Sequence, residues 1–419
     1  MKRPVGGLLR TRNFSLLWIG QSTSAVGSAI STVALPLVAV STLHAGPAMV
    51  ALLTAATWLP WLLIGLPVGV WVDRWPRRRT LLVADIVSAA VLVVIPLAAW
   101  SGALSMTLLV VAALLAGAAG VFANVAFNAF LPRLVGADDL MEGNARLQTS
   151  ASVALVVGPG LGGLLAQAAG AVSGVLIDAV TFLVSAACLL GLRSGPEPRP
   201  SAGDRPGMLR QVAEGIGFIV RGRLLQAMLV VAAATNFAML GITALRVVFL
   251  VRAEGTAPGT AGLVIGVGSL GAILGAALAS PASRRFGSAR TYLAANIAAA
   301  PFVLLLPLGG HGWRLTLFAA GSFLALAGAT MSNVMTMTFR GNFVPAHLLG
   351  RVTAASRIFV FGTIPFGAAT AGLLASALGI RPAMWVLAVL YVLAPLPLLA
   401  TEARTLRDFP AQDTANAVR

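Results

Sequence analysis

The sequence predicts an all-α integral membrane protein whose twelve transmembrane helices form two six-helix halves. Three observations support this prediction. The composition is that of a membrane protein, twelve apolar segments are long enough to cross a bilayer, and the two halves of the chain resemble each other at a nearly constant offset.

The composition separates this chain from soluble proteins. Of its 419 residues, 58% are hydrophobic and 10% are charged, whereas soluble domains contain about 45–50% apolar and about 25% charged residues. The net charge of +16 comes from arginines spread through short loops, which does not indicate nucleic-acid binding. Cys188 is the only cysteine, so an intramolecular disulfide is excluded, and no Cys/His spacing predicts a metal site. The preference for Arg over Lys, with abundant Ala and Gly, is typical of a GC-rich bacterial source.

The predicted spans follow from length, because a helix needs about 20 apolar residues to cross about 30 Å of hydrocarbon. Segment 193–222 is rich in Pro, Gly and charge, so it is predicted to be a cytoplasmic linker. It separates an N-terminal half, 1–192, from a C-terminal half, 223–400, and a polar cytoplasmic tail, 401–419, is expected to be disordered. The twelve predicted spans are 14–43, 49–72, 80–100, 104–131, 147–169, 172–192, 224–251, 259–282, 291–309, 313–339, 352–378 and 382–400.

Loop charges predict the orientation. Alternate loops hold nearly all the arginines, and the opposite set holds only Arg252, Arg314 and Arg381. Since cytoplasmic loops carry the excess of Lys and Arg, both termini are predicted to be cytoplasmic. We therefore expect a multi-pass protein of the bacterial cytoplasmic (inner) membrane.

The halves repeat each other in sequence. A shift of 211 residues places Arg74-Trp75-Pro76 on Arg285-Phe286-Gly287, and a shift of 209 later pairs Asn124 with Asn333. This offset predicts two like-oriented six-helix halves related by an axis along the membrane normal.

A basic turn follows the second predicted span. Gly65 and Gly69 lie four residues apart, so they form a small-residue stripe that a neighbouring helix can approach closely. Asp73 continues this series and Pro76 ends the helix before a run of arginines. One interpretation is that the arginines only fix the orientation; the other is a gating latch in which Asp73 accepts charge-assisted hydrogen bonds in one conformational state. The candidate gating residues are Gly69, Asp73, Arg74, Arg77 and Arg78.

The fifth predicted span carries a ridge of small residues, reading A-L-V-V-G-P-G-L-G-G at 154–163. Gly158 and Gly162 recur at four-residue spacing, Gly163 follows, and Pro159 removes one helix hydrogen bond. The simpler interpretation of this ridge is close helix packing.

Several of these stretches resemble a known family. The turn at 65–79 resembles the loop between the second and third helices of major facilitator superfamily transporters, with Pro76 where that family usually has Gly. The ridge at 154–163 resembles the signature of its exporter and antiporter branches, which implies export. Together with N-F-S-L-L-W-I-G-Q at 13–21, L-P-R-L-V at 131–135, N-A-R-L-Q at 144–148 and L-L-G-R-V at 348–352, they are similar to the branch of macrolide-efflux proteins and the enterobactin exporter.

Departures from the family pattern limit what the resemblance implies. Arg284 occupies the place in the second half that Asp73 occupies in the first, so any latch based on an acid is one-sided. The fourth span lacks the intramembrane Arg of a different drug-antiporter branch, so that branch's proton relay is not implied here.

Polar residues within spans predict the substrate path, because such residues are costly in lipid unless they face protein or water. In this superfamily the first, fourth, seventh and tenth spans line the central cavity. On the first span, Ser31 or Thr32 is expected on the same face as the path residues; the alternative role for each is hydrogen bonding between helices. Arg357, in the eleventh span, and Arg246 could instead contact substrate or lipid phosphate. The candidate path is Gln21, Ser24, Ser28, Asn124, Asn128, Asn236, Asn333 and Arg357.

The predicted coupling sites are the only two carboxylates within spans, Asp178 and Asp85. Either could bind a proton, although Asp85 could simply reach the cytoplasmic interface or Arg79. The four cavity-lining spans hold no acid, so a neutral, amphipathic or anionic substrate fits better than a strongly cationic drug.

These observations predict a monomeric exporter of a small amphipathic organic molecule that works by alternating access and proton antiport, with membrane lipid as its surroundings. The alternatives are an importer or facilitator of the same fold, or a membrane interaction protein that does not transport. No P-loop is present, so ATP is not the energy source within this chain and no cofactor is expected. The sequence contains no cluster of His, Glu, Ser or Lys at helical spacing, so an intramembrane enzyme is not predicted.

Overall fold

The computed structural model describes residues 7–136, 138–193 and 208–409. These residues form α-helices joined by short turns and short 3-10 or π segments, with no strand in the described ranges. The helices are α1 (Arg12–Leu37), α2 (Pro47–Leu63), α3 (Gly65–Arg74), α4 (Arg77–Trp100), α5 (Met106–Val135), α6 (Leu140–Ala169), α7 (Ala171–Leu190), α8 (Met208–Arg221), α9 (Arg223–Val248), α10 (Pro258–Phe286), α11 (Ser288–Ile297), α12 (Leu305–Leu308), α13 (Arg314–Phe343), α14 (Ala346–Leu378) and α15 (Ile380–Leu393).

Within the described ranges, eleven helical stretches are long and apolar enough to cross a membrane. The second predicted span, 49–72, is not one continuous helix, because α2 ends at Leu63 and α3 begins at Gly65. The ninth predicted span is likewise interrupted after α11, and the twelfth ends its α-helix at Leu393.

The three interruptions share one physical cause. Each helix ends four residues before a proline: Leu63 before Pro67, Ile297 before Pro301, and Leu393 before Pro397. A proline ring clashes with the carbonyl four residues earlier and cannot donate to it, so a regular helix through these positions is disfavoured. The ninth and twelfth predicted spans still form stretches long and apolar enough to cross a membrane, Ser288–Leu308 and Ile380–Ala400.

The internal repeat is confirmed by the element boundaries. Helices α1 and α9 begin and end 211 residues apart, and each continues into one π-helical turn, Val38–Thr42 and Phe249–Ala253. Farther along, Gly170 and Gly379, 209 residues apart, both have positive φ, of 83° and 94°. Glycine suits this left-handed conformation, and at both places it separates two long helices.

The chain divides into two compact units, Met1–Ala202 with Leu250–Gly266, and Gly203–Phe249 with Val267–Arg419. In the first unit α1 packs on α6 and α7, and α4 packs on α5 and α7. In the second, α9 packs on α14 and α15, and α11 packs on α13. The sequence boundaries at 192, 222 and 400 stay a prediction.

Two segments expected to be irregular contain ordered structure. Within the predicted linker, α8 packs on α14, where Ile219 is buried and Glu214 forms an ion pair with Arg351. In the predicted tail, the Arg407 carbonyl accepts hydrogen bonds from the N–H groups of Ala289 and Arg290. The expectation of a disordered tail is therefore wrong for residues up to 409.

Candidate functional site

A cavity of about 570 Å³ lies within the second unit. Helices α9, α11, α13, α14 and α15 line it, and it brings together three of the predicted path residues, Asn236, Asn333 and Arg357. Its volume is within the range of about 300–1,000 Å³ that is usual for small-molecule sites.

Hydrogen bonds fix part of the lining. Asn236 Nδ2 donates to the Ala232 carbonyl at 2.9 Å within α9. Asn296 Nδ2 donates both to the Tyr292 carbonyl at 2.9 Å and to Ser332 Oγ at 2.8 Å, which ties α11 to α13. These bonds hold amide groups at the cavity wall in defined positions.

Sequence reasoning missed several lining residues, among them Tyr292, Asn296, Ser332, Arg340 and Tyr391. Arg340 directly follows the tenth predicted span, 313–339, but α13 continues to Phe343, so Arg340 lies in a helix and lines the cavity. The available signal was the pair Tyr292 and Asn296, four residues apart on one helix face of the ninth span.

The chain's tail packs beside this cavity. The Phe409 ring lies 4.6 Å from the Phe339 ring and 5.7 Å, edge to face, from Tyr292, between ring centroids. Asp408 Oδ1 accepts a hydrogen bond from the Ser288 N–H at 2.8 Å, at the start of α11. A carboxylate is favourable there because the first N–H groups of a helix have no partner within it.

The path residues of the first unit lie on two helices. Asn128 Nδ2 donates to the Asn124 carbonyl at 2.8 Å and to Asn124 Oδ1 at 3.1 Å, and both side chains are exposed on one face of α5. On α1, Ser24 is buried and its Oγ donates to the Gln21 carbonyl at 3.2 Å, whereas Ser28 is exposed.

Of the two alternatives on the first span, Ser31 does not share the face of Ser28. Ser31 is buried and points to α7, where its Oγ donates to Asp178 Oδ2 at 2.5 Å. The exposed Thr32, four residues beyond Ser28, is the residue that continues its face.

Asp178 is almost completely enclosed, with 2% of its surface exposed. The hydrogen-bond partners of its carboxylate are hydroxyls: Ser31 Oγ, and Thr181 Oγ1 at 3.4 Å. Gly27 of α1 makes this approach possible, because a Cβ there would lie 2.6 Å from Asp178 Oδ1 and would overlap Thr181 Oγ1. A buried carboxylate held between two helices is thus built into the interface of α1 and α7.

Asp85 is the second enclosed carboxylate, with 3% of its surface exposed, near Ser185 of α7. Within the described ranges, Asp85 Oδ2 and Ser185 Oγ have no hydrogen-bond partner. The Asp85 side chain is enclosed in the unit while Arg79 is exposed, and within the described ranges the two form no ion pair. The alternative in which Asp85 reaches the cytoplasmic interface stays a prediction.

The basic turn contacts the end of a neighbouring helix. Arg78 donates from Nε to the Leu189 carbonyl and from Nη2 to the Leu190 carbonyl, each at 2.9 Å, so it satisfies carbonyls in the last turn of α7. Arg77 is buried and Arg74 is exposed, while the side chain of Asp73 lies outside the described part of the structure.

The small-residue stripe before this turn does not behave as predicted. No heavy atom lies within 4 Å of a Cβ built on Gly65 or Gly69. The buried face of α3 is instead formed by Val68 and Val72, which belong to an apolar cluster with residues of α5. The close approach predicted at the glycines is therefore wrong.

The ridge of α6 shows the close packing that was predicted. A Cβ at Gly158 would overlap Ala29 of α1, and one at Gly162 would lie 2.7 Å from the Ile30 carbonyl oxygen. Gly163 faces the other way, and a Cβ there would lie 3.0 Å from Gly262 Cα of α10.

Helix α10 supplies the matching glycines for this contact. A Cβ at Gly262 would overlap the Pro159 carbonyl oxygen, and one at Gly266 would lie 2.5 Å from the Val156 carbonyl oxygen. Helix α6 therefore lies between α1 and the first turns of α10, with backbone contacts on both sides.

The described residues contain no group of three or more His, Cys, Asp or Glu side chains suited to a metal ion. The site's chemistry is that of a polar cavity in one unit and two enclosed carboxylates in the other.

Comparison with known proteins agrees with the motifs. The multidrug efflux pump Tap of Mycobacterium tuberculosis (strain ATCC 25618 / H37Rv) is 32% identical over 212 residues, 49% of this chain and 50% of that protein. Tap of Mycolicibacterium fortuitum is 28% identical over 87% of this chain and 90% of its own length. Macrolide efflux protein A of Streptococcus pyogenes is 26% identical over 55% of this chain and 57% of its own length. The chain thus spans only about half the length of the M. tuberculosis relative that it matches.

Solved structures share the fold. The nucleoside transporter NupG superposes with a TM-score of 0.76 at 11% identity, over 93% of this chain and 99% of that one. A bacterial homologue of the iron transporter ferroportin gives a TM-score of 0.76 at 16% identity, over 93% and 98%. The sequence model of the transmembrane secretion effector family matches residues 7–418. The chain therefore belongs to the transmembrane secretion effector family of the major facilitator superfamily.

Proposed function

We propose that the chain is a secondary active transporter that exports a small amphipathic organic molecule across the bacterial cytoplasmic membrane by alternating access and proton antiport. The observation that carries the proposal is the ridge of α6, which resembles an exporter signature and packs through glycines against α1 and the first turns of α10. Three relatives are efflux proteins, which supports the same direction of transport.

The α6 contacts suggest a mechanical role. Backbone contacts at Gly158, Gly162 and Gly163 leave no room for side chains, so α6 and α1 are packed closely enough to shift together. Alternating access needs packed groups of helices that shift as units.

The substrate path in this proposal uses Asn236, Asn333 and Arg357 in the cavity of the second unit. In the first unit it uses the half-buried Gln21 and the exposed Ser28 of α1, and the exposed Asn124 and Asn128 of α5; Ser24 is buried and supports this face of α1.

Proton coupling is assigned first to Asp178 and second to Asp85. Asp178 accepts its hydrogen bond from Ser31 on α1, the helix that also carries Gln21, Ser24 and Ser28. Proton uptake by Asp178 neutralises the carboxylate and weakens its charge-assisted bond to Ser31. Protonation is thereby linked to the position of a helix on the substrate path.

The basic turn supplies the gate in this proposal. Asp73 accepts hydrogen bonds in one state of the cycle and releases them in the other, while Arg78 anchors the turn to α7 in both. We further propose that both termini are cytoplasmic and that the transporter is a monomer, with no cofactor.

The test is efflux of a panel of amphipathic compounds from cells, with and without a protonophore. We expect the native chain to lower accumulation, the protonophore to abolish this, Asp178→Asn to uncouple transport, and Asp73→Asn to slow it. Asp138→Asn is the matched control, since it makes the same change at an exposed position in the turn before α6. Export that continues unchanged in Asp178→Asn would refute the coupling role, and uptake driven by the native chain would refute export.

A further inference from the structure

The cavity of the second unit has an unusual charge. Arg340 of α13 and Arg357 of α14 both line it, and no lining residue is an Asp or Glu. Within the described ranges neither arginine forms an ion pair, and the nearby Glu214 is paired with Arg351. Two cations therefore share a cavity in a membrane-spanning unit without a described counter-charge.

This arrangement is costly unless an anion completes it. Charged groups inside membrane proteins are tolerated where they face water or pair with one another, and like charges at one cavity repel. Arginine offers planar donors that match a carboxylate, sulfonate or phosphate group. An acidic group between the two helices would relieve the repulsion and receive charge-assisted hydrogen bonds.

The remainder of the lining describes the rest of the ligand. Val360, Phe361, Met337 and Leu349 form apolar wall, while amides and hydroxyls of α9, α11 and α13 interrupt it. A ligand that fits must combine apolar surface with polar atoms.

We propose that this cavity is a selective site for an amphipathic organic anion, whose acidic group binds between Arg340 and Arg357. The proposal rests on the transport function proposed above and names its substrate class. Arg340 and Arg357 are then residues that determine specificity.

A matched pair of dyes tests the proposal directly. The sulfonated dye 8-anilinonaphthalene-1-sulfonate and N-phenyl-1-naphthylamine share one ring system and differ by the sulfonate. Binding is measured on the purified full chain in nanodiscs of zwitterionic lipid, with protein-free discs as blank. We expect Arg357→Gln to weaken binding of the sulfonated dye about tenfold and to leave the affinity for the uncharged dye unchanged. Arg357→Lys should restore part of the affinity for the sulfonated dye. Arg340→Gln should act in the same direction.

Arg314→Gln is the matched control. Arg314 begins the same helix that carries Arg340, about 39 Å away at 1.5 Å per residue, is exposed, and does not line the cavity. Unchanged sulfonate binding in both cavity variants, or equal weakening of the two dyes, would overturn the proposal.

A lipid phosphate offers the same chemistry as a soluble anion. Replacing part of the disc lipid with phosphatidylglycerol separates the two, because loss of dye binding there would identify a lipid headgroup site and overturn the substrate assignment. Cellular efflux of the two dyes separates the anion site from the export function. Arginine-dependent binding without efflux of either dye would support the anion site and refute export. Efflux without arginine-dependent binding would support export and refute the anion site.

Discussion

Replacing Gly27 with alanine tests the geometry around Asp178 most directly. A Cβ at this position would overlap Thr181 Oγ1, lie 2.6 Å from Asp178 Oδ1 and lie 2.9 Å from Thr181 Cβ. These atoms belong to short side chains that are buried in the interface, so α1 and α7 must move apart and the Ser31–Asp178 bond is broken with them.

The magnitude follows from two costs and one gain. Overpacking costs about 1–3 kcal/mol, a lost hydrogen bond to a charged group costs about 1.5–3 kcal/mol, and alanine gains about 1 kcal/mol in helix propensity. The expected net loss in the free energy of unfolding is about 1.5–5 kcal/mol. At about 2–4 °C per kcal/mol for a unit of about 200 residues, the Tm should fall by about 3–20 °C.

The single cysteine supplies the assay. Cys188 is half-buried on α7, with its Cβ 3.1 Å from a Cβ built on Gly20 of α1. A thiol-reactive dye in a thermal ramp at fixed scan rate therefore reports the opening of this same interface. Gly120→Ala is the control, since no atom lies within 4 Å of its Cβ and its Tm should not fall. Equal melting of Gly27→Ala and the native chain would refute the packing described for α1 and α7.

Three further substitutions test other contacts. Arg78→Gln removes both hydrogen bonds to the last carbonyls of α7 and should lower the free energy of unfolding by about 1–2 kcal/mol, and the Tm with it, whereas Arg74→Gln, at an exposed side chain, should leave the Tm unchanged. Equal Tm values for the two variants would contradict the capping role. Gly163→Ala should cost about 1–3 kcal/mol by overpacking against α10 and reduce efflux, and normal efflux at normal stability would show that the ridge can separate. Phe409→Ala removes the ring contacts at the start of α11 and should speed hydrogen exchange in that helix's first turn; unchanged exchange would mean that the tail does not pack there.

Much of the fold could be predicted because its signals are local and periodic. Long apolar segments, loop arginines and a nearly constant offset between halves each depend on residues close in sequence. The repeat predicted from scattered identities is matched even by the paired π-helical turns at 38–42 and 249–253.

The proline breaks show where local reasoning ends. Pro67, Pro301 and Pro397 each follow the end of an α-helix by four residues, but Pro36, Pro96 and Pro281 lie inside continuous helices. The local effect of a proline is the same in all cases. Whether the helix bends or stops depends on what the freed carbonyl and the displaced turn meet in the packed structure, which the sequence does not state.

The cavity shows a second limit. Asn236, Asn333 and Arg357 were predicted because they lie on spans expected to face a path, while Tyr292 and Asn296 lie on α11 and were not considered. No sequence pattern predicts a packing role for Phe409, since it is in a segment with the composition of a disordered tail. It contacts the cavity wall because α11 and α13 expose aromatic rings to it, a complementarity between segments that are distant in sequence.

Two glycine stripes with the same spacing make the physical reason explicit. Gly65 and Gly69 on α3 meet open space, whereas Gly158 and Gly162 on α6 meet the backbone of α1. Spacing places each pair on one helix face, but close contact requires a partner that is also flat there. Ala29 provides that surface for α6 on one side, and Gly262 provides it on the other. The ridge is therefore a property of helix pairs, so substitutions at Gly262 should impair packing as strongly as substitutions at Gly163, although the exporter-like motif includes only one of them.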